Sequence, residues 1–178
     1  MSRDASLSPP AHGFRFLDRW SLPLPPGEAY DLLARPRYYP LWWRGGVVAC
    51  PSFDPGEPMV GHSATLVVRG FLPYRLTLVS TAVALDPPSR IVAESTGDLV
   101  GRGEWTLVPD GDGGTRAEFD WQVEVVKRLE RRLAPYLRPL LAANHRWTMR
   151  RGEQGMAEHG PAVLGALGER RSMRGRVD

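Results

Sequence analysis

The chain has 178 residues, 42% of them hydrophobic, a formal net charge of +3 and one cysteine, Cys50. That length and apolar content suit a single domain with a sizeable core, and a lone cysteine excludes an internal disulfide framework and a cysteine-based zinc cage. No apolar run approaches the ~18 residues of a membrane span, and the polar, proline-bearing start does not read as a signal peptide, so a reducing cytoplasm is the expected setting.

In chain order, residues 1–13 are small, polar and proline-bearing and are expected to form a flexible leader. FRFLDRWSL (14–22) reads as a first strand. In PPGEAYDLLARPRYYPLWW, Pro26 suits the first turn of a helix carrying Tyr30, Leu32 and Leu33. Pro36 should end that helix and Pro40 should limit a second to a short piece, since a proline lacks the N–H that a helix interior needs. From 46 to 126 the punctuation becomes strand and turn, with FDPGEP, ALDPPS, TGD and DGDGG as turn clusters. HSATLVVRGF, YRLTLVSTAV, RIVAES, LVGRGEWTLV and TRAEFDWQVEVV lie between and after them as strands. The last alternates: Ala117, Phe119, Trp121, Val123 and Val125 share one face, and Arg116, Glu118, Asp120, Gln122 and Glu124 the other, as in a half-buried antiparallel strand. In the strand before it, Gly103, Trp105 and Leu107 share the inner face. Gly101 and Gly103 are expected to leave space there. Leu66 and Leu78 are assigned inward on strands whose two faces are both apolar.

From about 129 to 156 the period is helical. On a helical wheel Leu129, Leu133, Tyr136, Leu137, Leu140 and Trp147 form the stripe expected to bury against the sheet. Pro135 and Pro139 fall on the opposite side, where they would bend the helix around the sheet or delay its start. Asn144 sits within the stripe, Arg151 lies on the same face, and His145 falls at the flank. A buried amide needs a partner, so Asn144 is expected to bond either a neighbouring backbone group or a ligand. Residues 159–178 lose periodicity and read as a basic, disordered tail.

Residues 127–178 hold 12 Lys and Arg against 5 acids, and only Lys127 among the chain's 23 basic residues is a lysine. An anionic partner such as nucleic acid or a membrane surface is one interpretation. A solvated helix face is the other, and it is favoured because no aromatics interleave with the tail arginines.

Motifs for standard chemistry fail one by one. DGDGG lacks the glycine and glutamate of a calcium loop at its sixth and twelfth positions, Thr115 and Trp121. GRGEWT lacks the third glycine of a dinucleotide loop. The four histidines have no metal-ligand spacing, and no serine sits in a nucleophile elbow. No cofactor and no metal are expected, and no catalytic constellation emerges. What remains is a concentration of aromatics, Trp42, Trp43, Trp105, Phe119, Trp121 and Trp147, in elements that should face one another, either as core or as the wall of a pocket.

Strand, two short helices, six strands and a long C-terminal helix is the order of a helix-grip α+β fold: a curved antiparallel sheet of about seven strands around the helix. GDLVGRGEWTLVPDGDGGTRAEFDWQVEV followed by the LLAANHRWTMRRGEQG helix resembles the polyketide cyclase/dehydrase and lipid-transport group of the START-like (SRPBCC, birch-pollen-allergen-like) superfamily. The resemblance covers about residues 14–158, and the hairpin with Asn144, His145, Trp147, Met149, Arg150, Gly152 and Glu153 is its most specific part. It implies a cavity between sheet and helix for a hydrophobic small molecule: a lipid, a polyketide or an aromatic metabolite. It carries no universal catalytic motif.

The leading expectation is therefore a binding or carrier protein, with Trp42, Leu66, Leu78, Trp105, Phe119, Trp121, Leu137 and Leu140 as walls, Arg75 among the ligand contacts and Asn144 orienting a polar group. The alternative is a cyclase or dehydratase using Arg75 and Asn144, or Glu94 if its strand turns that side chain inward. A third is anionic-surface binding through the arginine-rich C-terminal part.

Overall fold

The computed structural model describes the backbone of residues 13–125 and 128–174 and the side chains of 13–124 and 139–168. Strand β1 (Phe14–Leu22) leads into helix α1 (Pro26–Leu33), a 3-10 turn (Pro36–Tyr38) and the short helix α2 (Tyr39–Trp42). Pro26 opens α1 and Pro36 separates it from the next turn. Strands β2 (Val47–Phe53), β3 (Ser63–Arg69), β4 (Arg75–Asp86), β5 (Arg90–Gly97), β6 (Leu99–Pro109) and β7 (Thr115–Val125) follow, and helix α3 runs from Arg128 to Arg174. The seven strands form one curved antiparallel sheet in the order β1-β7-β6-β5-β4-β3-β2. This is the helix-grip arrangement.

Register carries the alternation read from the sequence into space. Trp105 stands opposite Phe119, Gly103 opposite Trp121 and Leu107 opposite Ala117 across β6 and β7, so these side chains share the inner face. The outer face is a ladder of charge: Arg15 bonds Asp120 at 2.7 Å, Arg19 bonds Glu118 at 2.9 Å and Arg90 bonds Glu104 at 2.7 Å. These pairs are solvated and contribute little each. DGDGG is a hairpin turn whose Asp110 Oδ1 accepts from the N–H groups of Asp112 and Gly114 at 2.8 and 2.9 Å.

Gly101 and Gly103 do not simply leave room. A Cβ on Gly101 would lie 2.0 Å from the Gln122 carbonyl oxygen, and one on Gly103 would lie 2.7 Å from the Phe119 ring. The first glycine permits close approach of two strands, and the second lets aromatic rings fill the place of a side chain.

One end of the space between sheet and α3 is solid. Trp20, Leu22, Leu32, Leu33, Trp42, Trp43, Met156 and Val163 belong to one buried cluster. Gly152 and Gly155 let α3 press against it: a Cβ at Gly152 would meet Trp43 at 2.5 Å, and one at Gly155 the Trp42 carbonyl oxygen at 1.9 Å. Trp43 Nε1 donates to the Thr148 carbonyl at 2.8 Å, and Glu153 accepts from the Ser21 backbone N–H at 2.8 Å, tying α3 to β1. The helix runs unbroken through Pro139, which is exposed. It also continues past residue 158 to Arg174, with Val163 buried, through much of the stretch expected to be a disordered tail. The core needs those extra turns to cover α1 and Leu32.

Candidate ligand-binding cavity

Beyond the packed end, the described residues enclose a cavity of about 300 Å³ between the inner face of the sheet and α3. Alternation along each strand decides which residues reach it. Leu66 and Leu78 stand opposite each other across β3 and β4 and both line the cavity. Trp105, Phe119 and Trp121 add a row of rings, with Trp105 stacked on Phe119 at 4.5 Å and Phe119 on Trp121 at 6.2 Å. Phe14 and Phe16 of β1 continue the row, stacked at 5.8 Å. Leu76, Ile91 and Leu99 complete an apolar wall.

Four sequence expectations for the site, Trp42, Arg75, Leu140 and Glu94, need correction, and a fifth, Leu137, lies outside the described side chains. Trp42 is fully buried, at 0% exposure, between Tyr39 and Trp43 and does not line the cavity; its neighbour Trp43 does. Two successive residues at the end of a one-turn helix point in different directions, and the helix turned the second toward the space. Arg75 is exposed and outside the lining, because β4 directs Leu76, Leu78 and Ser80 inward and Arg75 outward. Leu140 is 42% exposed and also outside the lining. Leu137 lies outside the residues whose side chains are described, as do Leu129, Leu133 and Tyr136. Glu94 borders the cavity, but its carboxylate is on the outer side, 3.7 Å from Arg102.

The helix is rotated by about one residue relative to the expected phase. Leu141, His145, Thr148 and Met149 face the cavity, and Gly152 and Met156 continue that line into the core. Asn144 lies on the shoulder: it lines the cavity, and its Oδ1 accepts from the backbone N–H of Leu72 at 3.1 Å, in the loop between β3 and β4. Gly70 of that loop sits so close that a Cβ would lie 2.0 Å from the same oxygen. Trp147 and Arg151 lie on the same shoulder, with the Arg151 guanidinium 5.4 Å from the Trp147 ring centre. His145 is therefore not a flank residue.

Its side chain is 9% exposed and its Nε2 lies 2.6 Å from Asp18 Oδ2. The ring stacks on Phe16 at 4.0 Å and faces Trp121 at 5.3 Å. Asp18 was legible as an anomaly, being an acid on the same strand face as Phe14, Phe16 and Trp20. A carboxylate among inward aromatics requires a partner.

Two further polar groups at the cavity are engaged. Arg35 is buried and bonds Asp31 at 2.5 Å and Glu57 at 2.6 Å. The Tyr39 hydroxyl donates to the Leu33 carbonyl at 2.5 Å, and burial pushes its pKa well above the ordinary phenol value, so it stays a neutral donor. Burial also pushes the Cys50 thiol up, away from thiolate character. Among the described residues no group of three or more His, Cys, Asp or Glu could hold a metal ion, and no helix is long and apolar enough to cross a membrane.

Comparison with solved structures places the same architecture in several proteins. TTHA0849 from Thermus thermophilus superposes with a TM-score of 0.65 at 18% identity, covering 85% of this chain and 98% of that one. The Zhui aromatase/cyclase from Streptomyces sp. R1128 superposes with a TM-score of 0.66 at 14% identity, covering 86% and 96%. The major latex-like protein 151 from Panax ginseng gives 0.57 at 14%, covering 83% and 98%. At such identities the likeness is one of fold. No curated protein matches the sequence. The family model described as polyketide cyclase / dehydrase and lipid transport matches residues 18–159, from the Asp18 of β1 into the C-terminal part of α3. The chain belongs to the polyketide cyclase/dehydrase and lipid transport family.

Proposed function

We propose that this protein binds and carries a hydrophobic small molecule in the cavity between sheet and α3. One observation carries the reading: about 300 Å³ of space walled mainly by leucines and stacked aromatic rings. That volume is at the lower end of ordinary small-molecule sites. Leu66, Leu78, Trp105, Phe119 and Trp121 form the walls, and Asn144 holds the β3–β4 loop over one side while its amide nitrogen, with no partner among the described residues, would meet a polar group. The test is titration with an apolar fluorophore such as N-phenyl-1-naphthylamine. Binding in the micromolar range, with quenching of tryptophan emission, supports the reading, since Trp43, Trp105 and Trp121 border the space. Absence of binding overturns it.

A second reading, an enzyme of the cyclase or dehydratase type using the same cavity, draws support from the His145–Asp18 pair. Acid–base catalysis needs a titratable group at an enclosed site, and His145 is one. Arg75 and Glu94 direct their charged groups elsewhere, so neither enters this version.

A further inference from the structure

Asp18 and His145 come from opposite ends of the chain and meet beneath α3. Alternation along β1 turns Phe14, Phe16, Asp18 and Trp20 toward the helix, while Arg15 and Arg19 point outward to Asp120 and Glu118. Among the described residues, His145 is the one hydrogen-bond partner of the Asp18 carboxylate. His145 lines the cavity and Asp18 does not, so the acid stands behind the imidazole.

Ionised carboxylates only accept hydrogen bonds. Facing an ionised Asp18, Nε2 is the donor in this pair, and Nδ1 of a neutral ring then keeps its lone pair. Phe16 and Trp121 stack on the ring and restrict its rotation. A base whose tautomer and orientation are fixed by a carboxylate behind it is a recurrent arrangement for moving one proton. The neighbouring rings Phe14, Phe16, Phe119 and Trp121 line the cavity at the same place and give a flat molecule an aromatic surround.

We propose that His145, positioned by Asp18, is a proton-accepting site for a planar ligand bearing an acidic hydroxyl, a phenol or an enol. The step is balanced within the site. The ligand O–H bond breaks, its electron pair stays on oxygen, and a new N–H bond forms at Nδ1. The resulting imidazolium is paired on one side with Asp18 and on the other with the ligand oxyanion. Reversal returns the proton to oxygen or, for an enol, delivers it to the adjacent carbon. This rests on the ligand-binding reading above and names the ligand class it selects. Asp18 acts through His145 as a positioning residue.

The test compares 4-nitrophenol with 4-nitrotoluene, which has a similar shape and no hydroxyl. At a pH where free 4-nitrophenol is mostly protonated, wild-type protein should bring out the phenolate absorption band. His145→Gln and Asp18→Asn should each lower the bound phenolate fraction about tenfold or more, the effect of removing a neighbouring charge of favourable sign. The affinity of each folded variant for 4-nitrotoluene, which has no hydroxyl, is the reference against which that loss is read and reports whether the cavity is intact. Should either variant fail to fold, nitrogen-15 spectra of wild-type histidine decide: on adding 4-nitrophenol one imidazole should change from the neutral to the doubly protonated pattern. Binding of 4-nitrophenol as neutral phenol, with no histidine protonated, overturns the proposal and leaves the cavity reading standing. An equal phenolate fraction in folded His145→Gln overturns it in the same way. Failure of wild type to bind 4-nitrotoluene would instead sink the cavity reading, and this proposal with it.

Discussion

At the Asn144 amide, one oxygen meets a backbone N–H 72 residues earlier in the chain, at Leu72, and lies against the bare backbone of Gly70. Asn144→Ala removes the bond and should cost about 1 kcal/mol in urea unfolding. Gly70→Ala should cost more, because its Cβ has no room beside the amide. The two changes should not add: in an Asn144→Ala background the Gly70→Ala penalty should shrink, a coupling measurable by a double-mutant cycle. Tyr39 makes a prediction in pH. Its pKa is raised in the folded state, so its contribution to stability is fully present below the ordinary phenol value of about 10 and is lost as pH rises from there toward the folded value. Tyr39→Phe should cost about 1 kcal/mol near neutral pH for the lost bond to Leu33. It should also flatten the alkaline decline seen in unfolding midpoints across that range.

Helix α3 shows where pattern and packing part company. Its identity as a long helix, the turn boundaries at Pro26 and Pro36, and the inward rows of β6 and β7 were legible because hydrophobic period and turn chemistry are local properties. Its rotation was not. A wheel weighted by large apolar side chains places Leu140 and Trp147 toward the sheet. The structure instead turns Gly152 and Gly155 there, because three bulky tryptophans across the interface require small residues opposite them. Glycine carries no hydrophobic signal, so the contact that sets the phase leaves no mark on the wheel. The shift of about one residue moved His145 from flank to wall and exchanged Leu140 for Leu141. Nor could the wheel reveal Asp18 as the partner, since that pairing depends on a tertiary contact. Gly155→Ala should destabilise by about 1–3 kcal/mol through overpacking against the Trp42 carbonyl. Gly165→Ala, on the same helix with nothing within 4 Å of its Cβ, should stabilise by about 1 kcal/mol through helix propensity. Thermal melts of the two variants should move in opposite directions.

Taken as a whole, the molecule divides one interior into a packed half and a hollow half. The first holds α3 by its glycines, and the second remains open for occupancy. Ala93 lies on the hollow side of β5, opposite Gly103. Ala93→Leu should fill part of the void, raise stability by about 1 kcal/mol and weaken fluorophore binding by about tenfold or more. A variant that kept full affinity would place the probe elsewhere. The strand order carries a further consequence, for synthesis. Because β1 pairs with β7 along its whole length, Phe14 against Val123 through Leu22 against Thr115, β1 has its partner about a hundred residues downstream. At roughly 5–20 residues per second of translation, β1 waits some seconds with its aromatic face unpaired. The cradle for His145 cannot assemble until α3 itself leaves the ribosome. A nascent chain stalled before residue 115 would present Phe14, Phe16 and Trp20 to chaperones, and completion of the chain would withdraw all three.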